Sequence, residues 1–133
     1  MRTTHPFLRP WLAAASLLLA AGCGSDALAP FQPQINNAPD NFQFQATGLT
    51  NVTTTVQYTW SNTGTAATVN HSSTVTGGSA TLTIRDANGI QVYSGALVAS
   101  ANPTTSTGVT GNWTVRVDLL NTTGTLNFRV QKV

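Results

Sequence analysis

The sequence predicts an all-β protein, one antiparallel β-sandwich of about seven or eight strands. Three observations lead there. Thr, Ser and Asn occur 23, 9 and 11 times, Glu is absent and Lys132 is the only lysine, so the Glu/Lys/Ala faces of exposed helices cannot be built. From residue 41 onward apolar and polar residues alternate, the period-two signature of half-buried strands. Gly, Asn and Asp interrupt these runs at short intervals. A chain of 133 residues, 41% of them hydrophobic, supplies one core and one domain.

The strands follow in order. Phe42 and Phe44 share a face of the first. Val52, Val56, Tyr58 and Trp60 share a face of the second, with Thr53, Thr55, Gln57 and Thr59 opposite. Asn62-Thr63-Gly64 makes a turn. Ala67, Val69, His71, Ser73 and Val75 then alternate inward, and Gly77-Gly78 is expected to close a two-residue hairpin into Ala80, Leu82 and Ile84. That hairpin would set Val75 against Ala80 and His71 against Ile84.

Asp86-Ala87-Asn88-Gly89 carries Asp and Gly at the first and fourth places of a type I turn, leading to a bulged hairpin into Ile90, Val92 and Tyr93. Residues 99–112 read as loop. Trp113, Val115, Val117 and Leu119 face one way. A turn at Asn121–Gly124 would bring Leu126, Phe128 and Val130 opposite Leu119, Val117 and Val115. One sheet alone would leave its apolar face wet, so two layers must pack face to face.

Ahead of these strands, Arg2 and Arg9 precede an uncharged apolar run from Trp11 to Ala21, then Gly22 and Cys23. This is the layout of an export signal, too short for the roughly 20 apolar residues that span a bilayer. Leu19-Ala20-Ala21-Gly22-Cys23 resembles the lipobox of bacterial lipoproteins. The resemblance implies cleavage before Cys23, a diacylglyceryl group on its thiol and usually a third acyl chain. A lone cysteine has no disulfide partner within the chain, which agrees with lipidation. Gly24 after Cys23, in place of Asp, points to the outer membrane.

The expected organisation is therefore a signal peptide at 1–22, lipidated Cys23 with a Pro-rich tether through residue 40, and the sandwich at 41–133. Pro30, Pro33 and Pro39 lie in the tether, whose expected span is about 20–25 Å. Cleavage removes Arg2 and Arg9 and leaves Arg85, Arg116, Arg129 and Lys132 balanced by Asp26, Asp40, Asp86 and Asp118. Such a surface cannot steer polyanions: nucleic-acid binding is excluded, and acidic-polysaccharide binding loses support with it.

Leu82-Thr83-Ile84-Arg85-Asp86-Ala87-Asn88-Gly89, a long loop, Gly111-Asn112-Trp113-Thr114-Val115-Arg116-Val117 and Gly124-Thr125-Leu126-Asn127-Phe128 together resemble the jelly-roll modules of secreted proteases. These are the pre-peptidase C-terminal domain and, more remotely, the convertase P-domain. The resemblance covers about half of the chain after Cys23 and implies a noncatalytic accessory β-sandwich; the fold expected for the chain is jelly-roll or immunoglobulin-like.

Candidate sites are few. A Ser-His-Asp mechanism would need His71 beside Ser73 and Asp86 or Asp118, but parity places His71 among Val56 and Ile84, as a core or rim residue. No catalytic residue is therefore expected, and a hydrolase using His71 is the remotest reading. Asp86, Asn88 and Gly89 suit a turn better than a calcium loop, which would close with Glu. Zinc would need more His or Cys, so neither metal nor cofactor is expected.

Tyr93, Arg116 and Arg129 remain as ligand-contact candidates, the two arginines opposite one another across the last hairpin with Asp118 nearby. The expected function is a lipid-anchored, noncatalytic envelope module for binding, adhesion or structure, with the membrane as its partner through Cys23 and an envelope protein or neutral glycan as its ligand. The alternative is a carbohydrate-binding module using Tyr93, Trp60 or the loop from Asn102 to Asn112.

Overall fold

The computed structural model describes residues 27–133. A 3-10 turn at Ala29–Phe31 leads into β1 (Gln34–Ala38), β2 (Asn41–Asn62), β3 (Ala67–Ser72), β4 (Thr74–Arg85), β5 (Gln91–Ala96), β6 (Ser100–Ala101) and β7 (Gly111–Lys132). Among the described residues these seven strands form one antiparallel sheet, without α-helices and not closed into a barrel.

Two of the strands are 22 residues long and pair along their whole lengths, from Asn41 with Gln131 to Asn62 with Gly111. Straight, each would measure about 70 Å at ~3.3 Å per residue. Yet Asp40 N–H donates to Ser61 O at 2.9 Å, and Lys132 N–H donates to Asp40 O at 3.0 Å. The two ends of each strand therefore meet, and the sheet is creased across its middle.

The crease is visible as coincident irregularities. Register shifts interrupt β2 between Ala46 and Thr54, and β4 between Val75 and Ser79, where each crosses β7 near Leu119–Gly124. Backbone with positive φ gathers there, at Gly48, Asn51, Gly78, Asn121 and Gly124. On one side lies a first layer made of β1, the start of β2, the end of β7, β3 and β6. On the other lies a second layer of the end of β2, the start of β7, the end of β4 and β5.

The inner faces of the two layers make the core. Phe42 and Phe44 of the first layer meet Tyr58 of the second at ring-centroid distances of 5.3 and 6.1 Å. Within the first layer Phe128 stacks on Phe44 at 5.2 Å, and in the second Trp60 meets Trp113 edge-on at 5.9 Å. Each indole N–H finds a carbonyl, Trp60 that of Ala38 at 3.0 Å and Trp113 that of Val109 at 2.7 Å. Alternation predicted these inward faces well: Val115, Val117, Ala80, Leu82, Ile84, Leu126 and Val130 are all buried.

Three sequence expectations are corrected. Gly77-Gly78 closes no hairpin; it lies inside β4, where Gly78 serves the crease, and β3 pairs with β7 and β6 instead. Asn121–Gly124 is likewise no reversal, because β7 runs on through it. Leu119 pairs with Ala80 and Leu126 with Ala46, rather than with each other. A crease and a hairpin both need left-handed residues and both keep the flanking apolar faces inward, so local pattern does not separate them.

The segment expected to be a tether through residue 40 is, third, part of the fold. Gln34–Ala38 forms β1, pairing with Asn41–Gln45, and Leu28 is buried in the core with Phe31 packed against it. The folded unit thus begins ahead of residue 41. β1 is a polar edge strand with no buried residue, so it carries no alternation to read. Cys23, the signal peptide and residues 24–26 lie outside the described residues.

Two glycines at the crease are sterically required. A Cβ on Gly78 would run into the carbonyls of Leu120 and Asn121, and one on Gly124 into the carbonyl of Thr74. Gly48 and Gly89 also have positive φ, but a Cβ there would meet nothing within 4 Å. Gly78→Ala and Gly124→Ala are each expected to cost more than 2 kcal/mol, against about 1 kcal/mol for Gly48→Ala and Gly89→Ala. Urea denaturation of the four variants checks the order.

Candidate functional site

The turn after β4 is built on a carboxylate. Asp86 O accepts from Gly89 N–H at 2.9 Å, and Gly89 takes the left-handed conformation at φ 81°, as the turn reading requires. The side chain does more. Only 4% exposed, Asp86 accepts the N–H groups of Asn88 and Ile90 on Oδ1 and that of Val109 on Oδ2, each at 2.9 Å. It therefore ties the turn to the long loop before β7.

That loop is pinned along its length. Val69 N–H donates to Pro103 O at 2.7 Å, Thr105 N–H to Ala67 O at 2.8 Å, Ser106 N–H to Val92 O at 2.9 Å and Gly108 N–H to Thr65 O at 2.7 Å. These bonds also cover the outer edge of β5 and β3. The stretch from Asn102 to Thr110 is thus a strap across strand ends, and Gly111 and Asn112, expected in the loop, already belong to β7.

The remaining sequence candidates are dispersed. Trp60 is fully buried against Trp113 and offers no face to a sugar. Tyr93 is half-buried against the core, its hydroxyl standing over Gly95, where a Cβ would lie 2.6 Å away; burial raises its phenol above the ordinary value. His71 lies on the inner face of β3 opposite Phe128 and Ala101, 5% exposed, with Nδ1 unpartnered. Its expected neighbours Val56 and Ile84 belong to the other layer. Ser73 exchanges hydrogen bonds with the Asn127 backbone, at 3.0 Å from its N–H and 3.4 Å to its O.

Arg116 and Arg129 are not opposite one another. Arg116 stands in the second layer between Gln57 and Thr83, and Arg129 in the first between Gln43 and Asn70. The expected juxtaposition failed with the hairpin that produced it. Arg116 Nε donates to both oxygens of Asp118, at 3.1 and 3.0 Å, and Thr55 Oγ1 donates to Asp118 Oδ1 at 2.6 Å. These bonds raise the arginine pKa and lower that of Asp118. Asp40 is lowered too, first by the Thr63 backbone N–H at 2.7 Å, then by the Thr63 hydroxyl and Lys132 at 3.6 Å.

The structure brings together a different group, on the outer face of the first layer. Reading across β1, β2, β7 and β3, one row holds Asn36, Gln43, Arg129 and Asn70. The next holds Gln34, Gln45 and Asn127, with Asn127 Nδ2 donating to Ser72 Oγ at 3.2 Å. Two hollows open in this face and share Gln43. One, of about 170 Å³, is lined by Gln34, Ile35, Asn36, Gln43 and Gln45. The other, of about 160 Å³, is lined by Gln43, Asn70, Ser72, Asn127 and Arg129.

Of these residues only Arg129 was a sequence candidate. The available signal was amides, not threonines, at the outward positions flanking Phe44 and Phe128; three of the nine residues lining the hollows lay hidden in β1. Among the described residues no group of three His, Cys, Asp or Glu could hold a metal ion. The chain matches no protein-family model, and no curated protein is significantly similar to it.

Asp86 gives the site region a defined pH dependence. The Ile90 N–H, opposed by burial and aided by Val109 and Asn88, holds its carboxyl below the ordinary 3.8. A depressed folded pKa stabilises the fold above about pH 4 and loses that contribution as pH falls through the folded value. Asp86→Asn is expected to lower Tm at pH 7 more than Asp118→Asn does, and to flatten the fall of Tm below about pH 4, where the folded carboxyl takes up its proton. Thermal unfolding followed by circular dichroism over this range is the measurement.

Proposed function

We propose that the chain is a lipid-anchored, noncatalytic binding module of the bacterial cell envelope. The anchor rests on Leu19–Cys23 and its resemblance to a lipobox, preceded by the basic and apolar segments of an export signal. Acyl chains contribute about 0.8 kcal/mol per buried methylene, so two or three of them hold a protein on its membrane. The outer membrane is the expected site, from Gly24.

The observation that carries the binding reading is the division of labour among polar groups. The described acids have structural partners: Asp40 at Thr63 and Lys132, Asp86 at three backbone N–H groups, Asp118 at Arg116 and Thr55. His71 faces the core. The concave polar surface lies elsewhere, on the amide-rich outer face of the first layer. The resemblance of the region from Ala80 to Val130 to accessory modules of secreted proteases fits the same reading.

Metabolic labelling of cells with an alkynyl fatty acid tests the anchor. Wild type is expected to label and to fractionate with membranes, and Cys23→Ala to do neither; equal labelling overturns it. Purified protein is expected to hydrolyse neither ester nor peptide substrates. Hydrolysis removed by His71→Ala would replace the binding reading with an enzymatic one.

A further inference from the structure

Three of the four basic side chains among the described residues have polar partners. Lys132 Nζ lies 3.6 Å from Asp40 and 3.2 Å from Thr63 Oγ1, Arg116 is paired with Asp118, and Arg85 Nη1 donates to Gly89 O at 3.2 Å. Arg129 differs. Among the described residues its guanidinium has no hydrogen bond and no ion pair, although it borders a hollow. Its lateral neighbours Gln43 and Asn70 are neutral amides, and no acid lines either hollow.

This arrangement sets what can bind. A guanidinium presents five N–H donors in a planar fork that matches a carboxylate, and such charge-assisted bonds are roughly twice as strong as neutral ones. The amides around it each offer two donors and an acceptor, the complement of sugar hydroxyls, which both donate and accept. The hollows are smaller than the ~300–1,000 Å³ clefts that enclose a drug-sized ligand. They share Gln43 and cross four strands, about 14 Å at ~4.8 Å spacing. A chain laid across the strands fits this face better than one enclosed molecule.

We propose that the outer face of the first layer binds an acidic glycan, with Arg129 holding a sugar carboxylate and Asn36, Gln43, Asn70 and Asn127 bonding the hydroxyls on either side. This rests on the binding-module reading and names its ligand class. It also departs from the neutral glycan expected from overall charge. Net neutrality removes long-range steering but leaves a local, unpaired cation where the hydroxyl-binding groups are densest. The aromatic residues that could stack on a sugar play no part, since Trp60 is buried and Tyr93 belongs to the other layer.

The test uses the full-length, detergent-solubilised protein and three probes in isothermal titration calorimetry: a galacturonic-acid oligomer, its methyl ester and a neutral galactose oligomer. The acidic oligomer is expected to bind at least tenfold more tightly than the other two. Arg129→Gln is expected to remove that preference, and Arg85→Gln, on the second layer, to leave it within about twofold. Gln43→Ala is expected to weaken binding of the acidic oligomer, with thermal unfolding confirming that each variant is folded.

Equal affinity for acidic and neutral oligomers, or an unchanged preference in Arg129→Gln, overturns the carboxylate assignment. Absence of binding by the acidic oligomer overturns the glycan assignment. The binding-module reading is judged separately, by the fatty-acid labelling and hydrolysis measurements.

Discussion

The structure depends on one constraint: β2 and β7 must stay paired along 22 residues while both bend across the same line. β7 is flanked on both sides in both layers, by β2 and β3 in the first and by β2 and β4 in the second. A central strand satisfies its N–H and C=O groups on both edges, whereas the arms of an isolated hairpin leave half of theirs to water or other partners. Continuing β7 through the crease therefore engages more backbone than reversing it at Asn121–Gly124. Packing of Tyr58 on Phe42 and Phe44 follows, since the bend alone brings the two halves of β2 face to face.

Bending a ladder leaves backbone groups without strand partners, and the abundant threonines meet that need. Thr53 Oγ1 accepts Asn121 N–H at 2.8 Å, and Thr123 Oγ1 accepts Asn51 N–H at 3.0 Å. Thr122 Oγ1 donates to Ser79 O, and Thr76 Oγ1 to Thr123 O at 3.3 Å. Asn51 and Asn121 are the crease's non-glycine residues with positive φ, a conformation that Asn tolerates better than most side chains. The Thr and Asn bias that first argued against helix thus has a specific use at the bend.

Side-chain parity was legible in the sequence; chain direction was not. Leu119 and Leu126 face inward whether the intervening residues reverse the chain or crease it, so alternation is blind to the difference. What separates them is the pairing of β2 with both halves of β7, a contact between residues 49 to 90 positions apart. The same limit decided the candidate site. Arg129 was visible as an outward residue flanking Phe128, but its neighbours Gln43 and Asn70 come from strands distant in sequence, and Arg116 was placed beside it only by the false hairpin. β1 escaped notice because an exposed edge strand has no buried face to betray it. Asp86 shows the converse: its turn was written locally in Asp-Ala-Asn-Gly, while its bond to Val109 needed the fold.

Among the described charged side chains Arg129 stands apart, with neither a hydrogen bond nor an ion pair. With Asp40, Asp86 and Asp118 each engaged by its own neighbours, none of the described aspartates pairs with Arg129, whose guanidinium is the charged group among the residues lining the two hollows. One such contact on an exposed sheet gives modest affinity, because solvent screens it and each amide bond replaces a bond to water. Attachment by acyl chains at Cys23 would change that arithmetic. Many copies confined to one surface would engage a repeating polymer together, each bond raising the effective concentration for the next. A shallow, neutral-walled face with a single cation is then sufficient, since selectivity comes from the repeated carboxylate and strength from the number of copies.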